Sequence, residues 1–204
     1  MDKKLLREKT ENFWYYYKWY VLGGILLILC LFVGIRSCNR RINPDLQVLF
    51  AADKSANSRL VAEMETWFAE MTEDVNGDGE VLARVMTTAT VDQLSGNNTA
   101  ALVVQATTGD AILYVLTDET YAIMHENELL QQLPGESPYI DGDRYLLRKS
   151  GALAALPSIE AEDLKNYYLC IRKVEGSNLQ GSQKHMEQEK LAKSVLEQLI
   201  KNEK

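Results

Sequence analysis

Between Trp19 and Ile35 the chain runs for seventeen residues without a charged side chain. As a helix with ~1.5 Å rise per residue this run is about 26 Å long, slightly under the ~30 Å of bilayer hydrocarbon. The aliphatic stems of Lys18 and Arg36 can close the difference by reaching back to the interface. Eleven of the seventeen residues are Val, Leu, Ile or Phe. At roughly −0.3 to −0.6 kcal/mol each they contribute about −5 kcal/mol toward insertion, part of which the three glycines take back. Seven of the seventeen Phe, Trp and Tyr residues crowd into Phe13 to Tyr20. Amphipathic rings favour the headgroup layer, and a helix inside a protein core has no need of such a girdle. The pattern predicts one transmembrane helix over residues 19–35, after a juxtamembrane segment, 1–18, and before a linker, 36–44.

A cleaved signal peptide fits poorly: the charged, aromatic leader is long and no small-x-small site follows the apolar run. A lipoprotein fits no better, with Leu29 directly before Cys30 and Arg36 close before Cys38. Lys3, Lys4, Arg7, Lys9 and Lys18 precede the run, against Arg36, Arg40 and Arg41 after it. The positive-inside rule therefore predicts a cytoplasmic N-terminus, with the rest of the chain extracytoplasmic on a single-pass cell-membrane anchor.

Net charge sharpens when divided at the membrane. Residues 1–41 carry eight Lys/Arg against three Asp/Glu, so of the net −7 the remaining 163 residues hold −12. Such a domain is not expected to partner nucleic acid, anionic lipid or another polyanion. Its length suits one domain, 45–204, with enough core to need no disulfide staples. The three cysteines agree: Cys30 and Cys38 lie in or beside the apolar run, and Cys170 is expected as a small core residue.

Within that domain, Leu46 to Ala52 is a nearly continuous apolar run between Pro44 and Asp53, which predicts a strand covered on both faces. Asp53 to Ser58 offers helix-capping residues, and Leu60, Val61, Met64, Trp67, Phe68 and Met71 then recur at helical spacing. An acidic glycine turn, Glu73 to Glu80, leads into a second strand over Val81 to Thr88. Ala100 to Ala106 reads as a short helix ended near Gly109, and Ala111 to Leu116 as a third apolar strand. Asp118 is expected to cap two helical pieces running to Leu133, where Pro134-Gly135 stops them. Asp141-Gly142 marks a turn between two short extended stretches, Tyr167 to Val174 a further strand, and Leu191 to Ile200 the wide apolar face of a closing helix.

Strands alternating with helices predict a three-layer α/β domain with right-handed crossovers and a mainly parallel sheet, its first strand between the second and third. Val48 to Ala52, the helix to Met71, the second strand and above all Ala106 to Leu116, where a helix ending in Gly-Asp leads into an apolar strand, resemble the first lobe of type II periplasmic solute-binding proteins. The layout, with its aromatic-Lys-Trp-Tyr approach to the membrane, is also similar to small anchored proteins of Gram-positive bacteria that carry such a lobe. The resemblance spans roughly Gln47 to Val174. Solute-binding proteins close two lobes over their ligand, and about 160 residues suffice for one.

In an open α/β sheet, ligands bind beyond the carboxyl ends of the strands. That places the candidate ligand contacts at Asp53, Ser55, Thr88, Thr90 and Asp118, residue types that also serve as plain helix caps. Asp74, Asn76, Asp78 and Glu80 match the first half of a calcium loop, with Gly79 at its sharp turn. The second half departs from that pattern, because Val85 stands where a bidentate Glu is required. No other cofactor is indicated. His125 and His185 are expected on solvated helix faces, and neither a nucleophile elbow nor a phosphate-cradling glycine loop is present. The expectation is a noncatalytic anchored domain that binds a partner protein or small ligand in an envelope or transport assembly. A solute receptor with a shallow site at the strand ends and an envelope hydrolase are the rival readings.

Overall fold

The computed structural model describes residues 3–38, 44–52, 56–89, 96–162, 166–174 and 181–203. Internal contacts divide it into two units, Met1–Ile42 and Asn43–Lys204. The described residues of the first unit form a single helix, α1 (Lys3–Cys38). Within it Trp14–Phe32 is long and apolar enough to cross a membrane.

The second unit is an α/β domain. Its elements in chain order are β1 (Leu46–Ala52), α2 (Ser58–Glu70), β2 (Ala83–Ala89), α3 (Gly96–Thr108), β3 (Leu113–Thr117) and α4 (Asp118–Glu126). The hairpin β4 (Ile140–Asp141) and β5 (Arg144–Leu146) follows, then a 3₁₀ turn (Ala152–Ala155), α5 (Pro157–Glu162), β6 (Tyr167–Ile171) and α6 (Gln183–Lys201).

The described strands form one sheet in the order β2-β1-β3-β6-β5-β4, with β1 between β2 and β3 as the alternation predicts. The sheet is mixed, however, and not mainly parallel: β1 is parallel to β2 and β3, while β6, β5 and β4 are joined by antiparallel pairings. Strict strand-helix alternation lapses after α4. A hairpin intervenes, and β6 then enters from the end of the sheet where β3 leaves it.

Both faces of β1 are buried, as an unbroken apolar run requires. Val48, Phe50 and Ala52 face α2 and α6 through Leu60, Met64, Phe68, Val195 and Leu196, whereas Leu49 and Ala51 face α3 and α4 through Leu102, Ala106 and Met124. Strands β3 and β6 divide their side chains in the same way, and Cys170 lies fully buried on the α3/α4 side.

A core this apolar leaves backbone groups at its margins that need buried polar partners. Pairing between β1 and β3 begins at Val48, and beside it Gln188 of α6 accepts from Gln47 N–H at 3.1 Å and donates to the Asp45 carbonyl. Asp45 accepts from three amides, Val75, Asn76 and Leu82, at 2.9 to 3.1 Å, which ties the acidic turn to the start of β1. Arg172, just past β6, donates to the carbonyls of Thr107 and Gly109 and so completes the end of α3. Gly109 admits no side chain there, since a Cβ would stand 2.5 Å from the Gln105 carbonyl oxygen.

Two expectations fail locally. The second helical piece toward Leu133 does not form: Glu128 takes φ 55°, and Leu130 instead pairs with Arg172 as an antiparallel bridge. The bridge supplies backbone partners that a short helix would have had to find at its own ends. His185, expected on a solvated face, is 8 % exposed, because it lies three residues before Gln188 and seven before Ala192 on the packed side of α6.

Replacing Arg172 by Met orphans two helix-end carbonyls, and is expected to lower unfolding free energy by about 3 kcal/mol in urea titration of the detergent-solubilised chain. A second expectation concerns acid. Glu63 receives the Ser158 hydroxyl at 2.8 Å and its amide at 3.1 Å at the start of α5. The Ser158 hydroxyl bond leads in holding its carboxyl below the ordinary 4.5, against a smaller opposing effect of burial. A depressed carboxyl pKa stabilises the fold above the unfolded-state value and loses that contribution as pH falls through the folded one. Glu63→Gln should therefore flatten the decline in thermal midpoint below about pH 4.5, leaving its position relative to the parent constant between pH 6 and 8.

Candidate functional site

Of the strand-end residues, Asp53, Ser55 and Thr90 lie outside the described residues. Thr88 donates its hydroxyl to the Gln105 side-chain carbonyl of α3. Asp118 is not the cap of α4; that position belongs to Thr117, whose N–H is taken at 2.9 Å by the Thr120 hydroxyl. Thr120 in turn donates to the Ala51 carbonyl at 2.8 Å, so a single buried hydroxyl joins the carboxyl end of β1 to the start of α4. One residue into the helix, Asp118 accepts from Tyr168 Oη and, at 3.3 Å, from Asn166 Nδ2.

The acidic turn closes on itself. Asp74 accepts the amides of Gly77 and Gly79 at 2.7 and 2.9 Å, Asn76 that of Asp78 and Asp78 that of Glu80, each at 2.9 Å. Gly77 and Gly79 take φ 73° and 88°, a region favouring residues without Cβ. Among the described residues no group of three or more His, Cys, Asp or Glu converges where a metal ion could sit.

Among the described residues, a polar constellation lies beside Asp118, where α4, the hairpin and β6 meet. Helical spacing puts Tyr121 and His125 of α4 on one side, their rings stacked 5.4 Å apart. In the turn between β4 and β5, Asp143 accepts from Tyr121 Oη at 2.7 Å and holds His125 Nδ1 at 2.7 Å. The carboxylate side chain is only 6 % exposed and the imidazole 57 %, so a buried anion orients a ring that faces solvent. Gly142, at φ 66°, makes this turn possible.

On β5, Tyr145 enters the α2/α6 core, and its alternating neighbours Arg144 and Leu146 face the other way. The Arg144 guanidinium lies 4.7 Å from the Tyr121 ring centre and 5.0 Å from that of Tyr168, between two aromatic groups. Asp141 Oδ2 receives both its Nε and its Nη2, at 3.0 and 2.5 Å. Burial, reinforced by the Asp118 carboxylate, pushes the Tyr168 hydroxyl up to about 12, and burial with Asp143 likewise raises Tyr121. Both phenols therefore remain donors at neutral pH. Burial raises the Cys170 thiol well above its usual range.

Of the two candidate contacts among the described residues, Thr88 and Asp118, this constellation absorbs Asp118. Asp143, Arg144, Tyr121 and Tyr168 come together only through pairing across β5 and β6 and packing against α4. The local signals were the Tyr121/His125 spacing and the hairpin turn; nothing in the sequence ties them to Tyr168.

No protein-family model, curated protein or solved structure matches the chain.

Thr120→Val retains shape but removes the hydroxyl that serves both Thr117 N–H and the Ala51 carbonyl. A loss of about 2 kcal/mol is expected, read as a lower urea midpoint at unchanged slope.

Proposed function

We propose that this protein is a membrane-anchored, noncatalytic binding domain, held beside the bilayer by α1 and acting outside the cytoplasm on a partner protein or small ligand in an envelope or transport assembly. The observation that carries the reading is the apolar stretch Trp14–Phe32, none of it buried within the protein. Leu26, Ile28 and Phe32 are all exposed, and the aromatic rings from Trp14 to Tyr20 stand at one end of the stretch. Such a surface needs hydrocarbon around it and amphipathic rings at the interface.

A domain anchored in this way meets partners of the same membrane at high effective concentration. His125 is held by Asp143 and lies beside Tyr121, an arrangement that orients its exposed ring on the flank of α4. A buried thiol with a raised pKa, as at Cys170, is a poor nucleophile. The resemblance to a solute-binding lobe belongs to this proposal, as does the second reading, a solute receptor. That second reading is favoured by a cleft of about 110 Å³ beside Arg144.

The test is topology. Alkaline carbonate should leave the full chain in the membrane pellet, and protease added to intact cells should remove the domain after α1. Extraction into the soluble fraction would sink the anchor, and full protection of the domain would reverse the orientation.

A further inference from the structure

The cleft beside Arg144 stands out by charge. In a region carrying −12 overall, the described residues that line one small hollow include Arg144, Arg148 and Lys149 together with Asn166, Tyr168 and the carboxylate of Asp141. Among these described lining residues basic side chains outnumber acidic ones, and the Asp118 carboxylate stands behind Asn166 and Tyr168. Repulsion from the distant carboxylates is screened within about 8–10 Å at physiological salt, so close cations dominate inside the hollow.

Arg144 is prepared for such a role. Its side chain is only 27 % exposed, fixed by the two tyrosine rings and by Asp141, so little rotamer freedom remains to be lost on binding. Asp141 takes Nε and Nη2 through one oxygen, and among the described residues no acceptor is hydrogen-bonded to Nη1. Asp141 itself is 61 % exposed, a wet partner that a better acceptor can compete with. Lys149 adds an exposed point charge and Asn166, held by Asp118, an amide.

We propose that this cleft binds the compact oxyanion group, carboxylate or phosphate, of a small ligand. Arg144 is the fixed, fork-shaped donor, Lys149 the mobile counter-charge, and Asp141 both orients Arg144 and competes for it. The volume of about 110 Å³ suits the charged end of a small molecule. The inference deepens the binding-domain reading by naming a ligand class, and it does not depend on which side of the membrane the domain occupies.

The experiment is calorimetric and thermal titration of the full-length chain in detergent with sodium phosphate and, separately, sodium succinate, each against sodium chloride at equal ionic strength. A saturable rise in thermal midpoint with at least one oxyanion is expected. Phosphate alone, succinate alone or both would identify the source of the group. Lys149→Gln should weaken binding about threefold while leaving the unliganded midpoint unchanged. Asp141→Asn, which removes the competitor, should tighten it by a similar factor. Arg144→Lys keeps the charge but loses the fork, and should weaken binding more than Lys149→Gln does. No shift beyond chloride with either anion, or equal affinity in the Lys149 and Arg144 variants, overturns the proposal even if the chain proves to be anchored as described.

Discussion

A strand that is apolar along both faces can exist only where something covers it twice, and β1 and β3 are both of this kind. Their residues alternate between two cores, one against α2 and α6 and one against α3 and α4, so neither helical layer can be removed without exposing half of each strand. Wherever regular pairing stops, backbone groups are stranded in a dry setting. Gln188 at the start of β1, Asp45 at the acidic turn and Arg172 at the end of α3 answer that problem with three different side chains. Each acts from an element distant in sequence from the groups it serves. The dry centre thus determines where buried polarity must appear.

The same constraint moves the polar side chains to the flank of the sheet. Strands β1 and β3 have no polar face to offer along their length, and the polar groups cluster where β6 and the hairpin pack beside α4. There Asp118, Asp143 and Asp141 each restrain a neighbour: a phenol, an imidazole and a guanidinium respectively. With both phenols kept protonated and Arg144 held between rings, the flank carries ordered donors next to a small hollow. Order of this kind reduces the entropic cost that binding there would carry.

The apolar stretch of α1, the strands β1, β3 and β6, the helices α2 and α6, the hairpin turn and the placement of β1 between β2 and β3 were all legible in the sequence. Their signals are local: hydrophobic period, capping residues, glycine at a turn. The mixed direction of the sheet was not, since pairing direction depends on which end of the sheet the chain re-enters after a hairpin. The same holds for the second helical piece before Leu133. Its apolar spacing was real, but Leu130 found a backbone partner in Arg172, and a long-range bridge outweighed a weak local preference.

Asp118 shows the division most clearly. As a sequence it reads as a helix cap, and the structure gives that position to Thr117 and turns the Asp118 carboxylate to Tyr168, fifty residues away. Alone, the sequence determined where the chain is apolar enough for a bilayer, which segments are dry on both sides and where charge accumulates, because those properties sum over neighbours along the chain. Only tertiary structure decided which ionisable groups meet. Arg144, Tyr121, Tyr168 and Asp143 come from three segments that become adjacent when β5 pairs with β6 and α4 packs across them, and no local pattern encodes a distance closed by folding.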